Sequence, residues 1–152
     1  MIQRIQSIFL FAALCFLVPM FFVPIAELLY ETGEILSFNL TGFYYTELGT
    51  TAGISSQYSI MAFGILVCAL NLITIFLYKR RVLQLRLCIY NIILLIGLSG
   101  VILFILYSVS NVSSISFRLP VVFPPIAIIL HYLAFRGIRK DELMVQALSR
   151  LR

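Results

Sequence analysis

Four apolar runs, at about Ile5–Ala26, Tyr58–Tyr78, Leu85–Tyr107 and Leu119–Phe135, leave few folds open to this chain. A helix needs roughly 17–25 apolar residues to cross the hydrocarbon core of a bilayer. Each run meets that length, the fourth at its lower limit. Composition agrees: 62% of the 152 residues are hydrophobic and 11% charged, with a mean hydropathy of +1.08. Soluble domains carry about a quarter charged residues. The expected fold is an all-α membrane protein in one domain, residues 1–152. It is a four-transmembrane-helix bundle with a small extracytoplasmic β-hairpin in loop one and a C-terminal amphipathic cytoplasmic helix.

The first run has the basic start and apolar middle of a signal peptide, and Pro24-Ile25-Ala26 imitates a cleavage site. Its length of about 22 residues exceeds a typical signal-peptide core of 7–15. It reads as a first span, bent near Pro19 and Pro24.

Charge orients the spans. With the N-terminus inside, Arg4, Lys79, Arg80, Arg81, Arg86, Arg136, Arg139, Lys140, Arg150 and Arg152 all fall on the cytoplasmic side. Arg118 alone lies outside. Short loops are where this positive bias decides topology, so both termini are expected in the cytoplasm. The net charge of +5 is absorbed by this role, and nucleic acid is not an expected partner.

Loop one, Glu27 to Gln57, is long for a connector. Within it Leu36, Phe38 and Leu40 alternate with Ser37, Asn39 and Thr41, and Gly42 precedes Phe43-Tyr44-Tyr45. Period-two alternation bounded by glycine predicts a hairpin. An isolated hairpin is marginal in water, so Phe38 and Phe43 should be buried against the helix ends or a partner. Loop two, Lys79 to Gln84, is tight and sets helices two and three antiparallel. Loop three, Ser108 to Phe117, shows no chemistry. All five prolines lie toward the outer side, as helix-end kinks or as the wall of a vestibule between helices one and four.

Chemistry is sparse. Neither Asp, Glu, Lys nor Arg lies well inside a span, where a proton- or ion-coupled transporter needs one. Cys15, Cys68 and Cys88 sit in apolar runs without metal or redox spacing. Asn71, Asn91 and His131 are the candidate intramembrane polar residues, with Thr74 and Ser99 beside them. Asn71 and Asn91 lie at matching depth across loop two, and a mutual hydrogen bond is expected. His131, the sole histidine, lacks companion ligands for haem or metal. It reads as a structural hydrogen-bonding residue, and no cofactor is expected. Gly64 with Cys68, and Gly97 through Gly100, supply small residues that let helices approach.

The tail carries most of the remaining charge. Leu143, Met144, Val145, Ala147, Leu148 and Leu151 share one helical face. Arg139, Glu142, Gln146, Ser149 and Arg150 share the other. Gly137 allows a change of direction after the last span. Such a helix can lie on lipid headgroups or dock on a subunit. Candidate lipid- or partner-contact residues are Arg136, Arg139, Lys140, Asp141, Glu142, Arg150 and Arg152.

The opening Met1-Ile-Gln-Arg-Ile-Gln6 and the tail Leu133-Ala-Phe-Arg-Gly-Ile-Arg-Lys-Asp-Glu142, continuing to Arg152, resemble a known family. It is a family of small four-span proteins of unknown function from Bacteroidota-type bacteria. The likeness is specific at both ends and rests on hydropathy in the middle. Ser149 stands where the family carries an acid. The resemblance implies a bacterial inner-membrane protein and lends no activity.

The leading expectation is a non-enzymatic integral inner-membrane protein, an accessory, assembly or scaffold subunit that contacts a partner through its cytoplasmic tail and outside loop. Its partners are the lipid bilayer and a membrane protein or further copies of itself. The alternatives are a small pore or carrier for a neutral solute, and a membrane enzyme using His131, Asn91 or Tyr90.

Overall fold

Proline sets where the first helix ends. Pro19 cannot donate to a helical ladder, and the chain tightens into a 3-10 turn at Val18–Phe21. The Pro19 carbonyl accepts from the Phe22 and Val23 amides at 3.0 and 3.2 Å. Pro24 then delivers the chain extended into a strand. The computed structural model describes the backbone of residues 2–30, 34–47, 50–56, 58–109 and 112–150. Within these it omits the side chains of 2–6, 46–47, 50–56, 79, 81, 112, 146 and 148–150. The element order is α1 (Ile2–Leu17), β1 (Ala26–Tyr30), β2 (Ile35–Asn39), β3 (Gly42–Glu47), β4 (Thr50–Ser56), α2 (Tyr58–Phe76), α3 (Arg81–Ser108), β5 (Val112–Phe117) and α4 (Phe123–Arg150).

The strands form one antiparallel sheet in the order β4-β3-β2-β1-β5. The all-α expectation with a lone hairpin is therefore corrected. The anticipated hairpin exists as β2 and β3, joined through Leu40-Thr41, with Phe38 opposite Phe43 and Asn39 opposite Gly42. Gly42 has φ 140°, a conformation that side chains oppose, which explains glycine there. Two flanking strands and one from loop three complete the sheet. β1 takes Ala26 from the expected end of span one and Glu27 to Tyr30 from the start of loop one, and β5 occupies residues expected to be a plain connector. The Arg118 guanidinium donates to the Glu27 carboxylate across β1 and β5, so the cation expected outside has a local partner.

The helices alternate in direction, and the sheet joins the ends where α1 and α3 finish and α2 and α4 begin. α4 packs against both α1 and α3, α3 also packs against α2, and α1 packs more lightly on α2. A groove of about 530 Å³ opens between α2 and the 3-10 turn after α1, lined by Phe21, Phe22, Met61, Ile65, Cys68 and Leu72 among others. The opening thus lies beside α2, whereas helices one and four are closely packed. Gly64 lets the Phe21 ring approach, since a Cβ there would lie 3.2 Å from its Cζ.

Buried apolar residues fall into two clusters. The larger joins the inner face of the sheet (Leu28, Leu36, Phe38) to the near halves of the helices (Leu17, Val67, Leu95, Ala127). The smaller holds the far ends together through Leu10, Cys88, Ala134 and Ile138. Three helices are long and apolar enough to cross a membrane: Tyr58–Phe76, Val82–Ser108 and Leu119–Val145. Only 28% of each apolar window is buried, so most of these side chains face outward. α1, at 16 residues, is shorter than the anticipated 22-residue span. Nor is the tail a separate amphipathic helix: α4 continues through Gly137 without a break. One glycine costs a helix only about 1 kcal/mol relative to alanine, and burial of Ile138 one residue on favours continuity.

Candidate functional site

Two polar features stand out against the apolar helices. The first is a buried layer between the two apolar clusters. Asn71 and Thr74 on α2 lie between Val67 of one cluster and Ile75 packed on the other. Asn91 on α3 lies between Leu95 and Cys88, and His131 on α4 between Ala127 and Ala134. Helical spacing thus brings all four residues to one level. Each is fully buried.

Their hydrogen bonds tie helices together. The Asn71 amide nitrogen donates to the Leu10 carbonyl of α1 at 3.3 Å. That of Asn91 donates to the Thr74 hydroxyl oxygen at 3.3 Å, and Thr74 donates in turn to the Leu70 carbonyl at 2.7 Å. The anticipated Asn71–Asn91 bond is replaced by these two. Depth matching found the right level, but a backbone carbonyl of α1 carries no sequence signature as a partner. His131 Nδ1 lies 2.8 Å from the Ala127 carbonyl. That carbonyl can only accept, so Nδ1 is the protonated nitrogen. Tyr90 is exposed and does not join the layer. Among the described residues no group of three or more metal-ligating side chains occurs.

The second feature is the end of α4. Ten residues separate Asn91 from Arg81, where α3 begins, but nineteen separate His131 from Arg150. At 1.5 Å per residue, α4 outreaches the α2–α3 turn by about 13 Å. Burial shows where the packed part stops. Gln84, Ile138 and Asp141 are buried, whereas Leu143, Met144 and Val145 are 57%, 42% and 48% exposed. Arg136, Arg139 and Lys140 are exposed and Glu142 is half-buried. Asp141 and Glu142 each have a polar or electrostatic partner. The Arg150 side chain and Arg152 lie outside the described residues. The tail residues therefore divide: Asp141 packs into the helical layer, while Arg139 and Lys140 face out near the root of the overhang.

No curated protein matches the chain. A family model described as a domain of unknown function matches residues 2–151, which bears out the resemblance to an uncharacterised family. On that near-complete match, the chain belongs to the DUF4293 family.

Proposed function

We propose that this protein is a non-enzymatic integral protein of the bacterial inner membrane. In this reading the helical layer lies in the bilayer, the sheet on the extracytoplasmic side and both termini in the cytoplasm. It acts as an accessory or scaffold subunit that holds a protein partner at the cytoplasmic end of α4. One observation carries the reading: α4 extends beyond its neighbours with Leu143, Met144 and Val145 uncovered. Exposed apolar residues gathered on a projecting helix have a physical use in docking to a partner. Orientation draws support from charge, because nine of the ten basic residues on the described backbone lie away from the sheet and Arg118 is paired with Glu27. Outward-facing apolar side chains on three helices of spanning length support the bilayer.

A pore or carrier would need its polar side chains to line a conduit, and Asn71, Asn91 and His131 are all fully buried. An enzyme would need substrate to reach His131, which is sealed in the same way.

The test is site-specific photo-crosslinking in cells of the bacterium that makes the protein. A photoreactive amino acid at Met144 should give a discrete protein adduct, while one at the outward-facing Phe104 should give none. Adducts with lipid alone at both positions would defeat the scaffold reading. So would equal, unselective protein adducts at the two positions.

A further inference from the structure

The buried polar layer has an imbalance of donors and acceptors. Asn71 Oδ1, Asn91 Oδ1 and His131 Nε2 are buried, and no group among the described residues hydrogen-bonds to them. All three are acceptors. The amide nitrogens of Asn71 and Asn91 already point to the Leu10 carbonyl and the Thr74 hydroxyl, fixing each Oδ1 as the open atom. Donation from His131 Nδ1 to Ala127 leaves Nε2 of the neutral ring with a lone pair. Thr74 cannot supply the missing donor, because its proton is given to Leu70.

Leaving buried acceptors unpaired costs about 1–3 kcal/mol each, and three open acceptors on three helices share one level. We propose that this level is a binding site for a small neutral hydrogen-bond donor of the class of water. A buried water takes two to four polar partners, and each water offers two donors to atoms that can only accept. A cation does not fit the site. No Asp or Glu lies in the four apolar runs to balance it, and an unpaired buried charge is far costlier than a neutral donor. The site would complete the polar contacts of the helical layer through a shared ligand. It is independent of any partner at the end of α4.

The chain has one histidine, so ¹⁵N-histidine labelling reports His131 alone. Solid-state NMR of the full-length protein in liposomes should show a protonated Nδ1. It should also show an unprotonated Nε2 shifted in the direction of an accepted hydrogen bond. Polarisation starting on water protons should reach Nε2. The Asn91→Leu variant should move the Nε2 resonance without changing the tautomer. A hydrogen-bonded shift without transfer from water would identify a neutral donor other than water and keep the site. An Nε2 resonance at the position of an unbonded ring nitrogen would overturn the proposal, as would a ring protonated on both nitrogens. Both outcomes are read on the unmutated protein, so the test survives a variant that fails to fold.

Discussion

At the scale of single residues, the polar layer and the glycines make separable predictions. Asn71→Ala removes one interhelical hydrogen bond, which in membranes is worth roughly 0.6–2 kcal/mol. Thermal unfolding in mild detergent should show a loss of that size. Gly64→Val places carbon where the Phe21 ring now sits. Overpacking of this kind costs about 1–3 kcal/mol, and pairing it with Phe21→Leu should recover part of the loss. Arg118→Ala should cost less than about 1 kcal/mol in the same assay, because the Glu27–Arg118 pair is partly exposed. A larger drop would mean that Arg118 has a second role.

At the scale of elements, the end of α4 is where packing and display separate. A cut after Gly137 would remove Ile138 and Asp141, which pack against the other helices. Truncation after Glu142 keeps both and deletes only the overhang. The shortened protein should insert at normal levels, keep its melting temperature within about 1–2 °C and fail to complement a deletion strain. Equal loss of inserted protein would show that the overhang stabilises the fold instead. Some elements were legible in the sequence. Alternation exposed β2 and β3 because one face of that hairpin is buried at Leu36 and Phe38. β1 was hidden at the boundary of an apolar run: Ala26 closes the run, and Glu27 to Tyr30 lack the strict alternation that marks β2. β5 was hidden for a different reason: Ser113, Ser114 and Ser116 give it the polarity of a loop, and only its pairing with β1 makes it a strand. At Gly137 the helix runs on where the glycine predicts a change of direction, because packing of Ile138 outweighs it.

At the scale of the whole molecule, proposed topology and observed architecture make one joint prediction. Cys15, Cys68 and Cys88 are replaced by alanine, and single cysteines are then introduced at Ser114, on the exposed sheet edge, and at Leu143. A membrane-impermeant maleimide should label position 114 in intact spheroplasts and position 143 only after lysis. Labelling of both sites before lysis would be incompatible with the proposed orientation. The level of the polar layer and the charge asymmetry could be read from the chain. What could not be read was how the loops combine, because strand order depends on contacts between segments far apart in sequence.

That strand order constrains how the protein is made. β1 lies between β2 and β5, yet 86 residues separate Ala26 from Val112. Chains emerge from the ribosome N-terminus first. β1 therefore has one unsatisfied edge throughout the synthesis of β2, β3, β4, α2 and α3. An open edge is a template for pairing with other chains. The third loop is in this sense a closing seam: until it docks, the nascent protein is exposed to wrong strand partners, and any chaperone it needs would act in that interval.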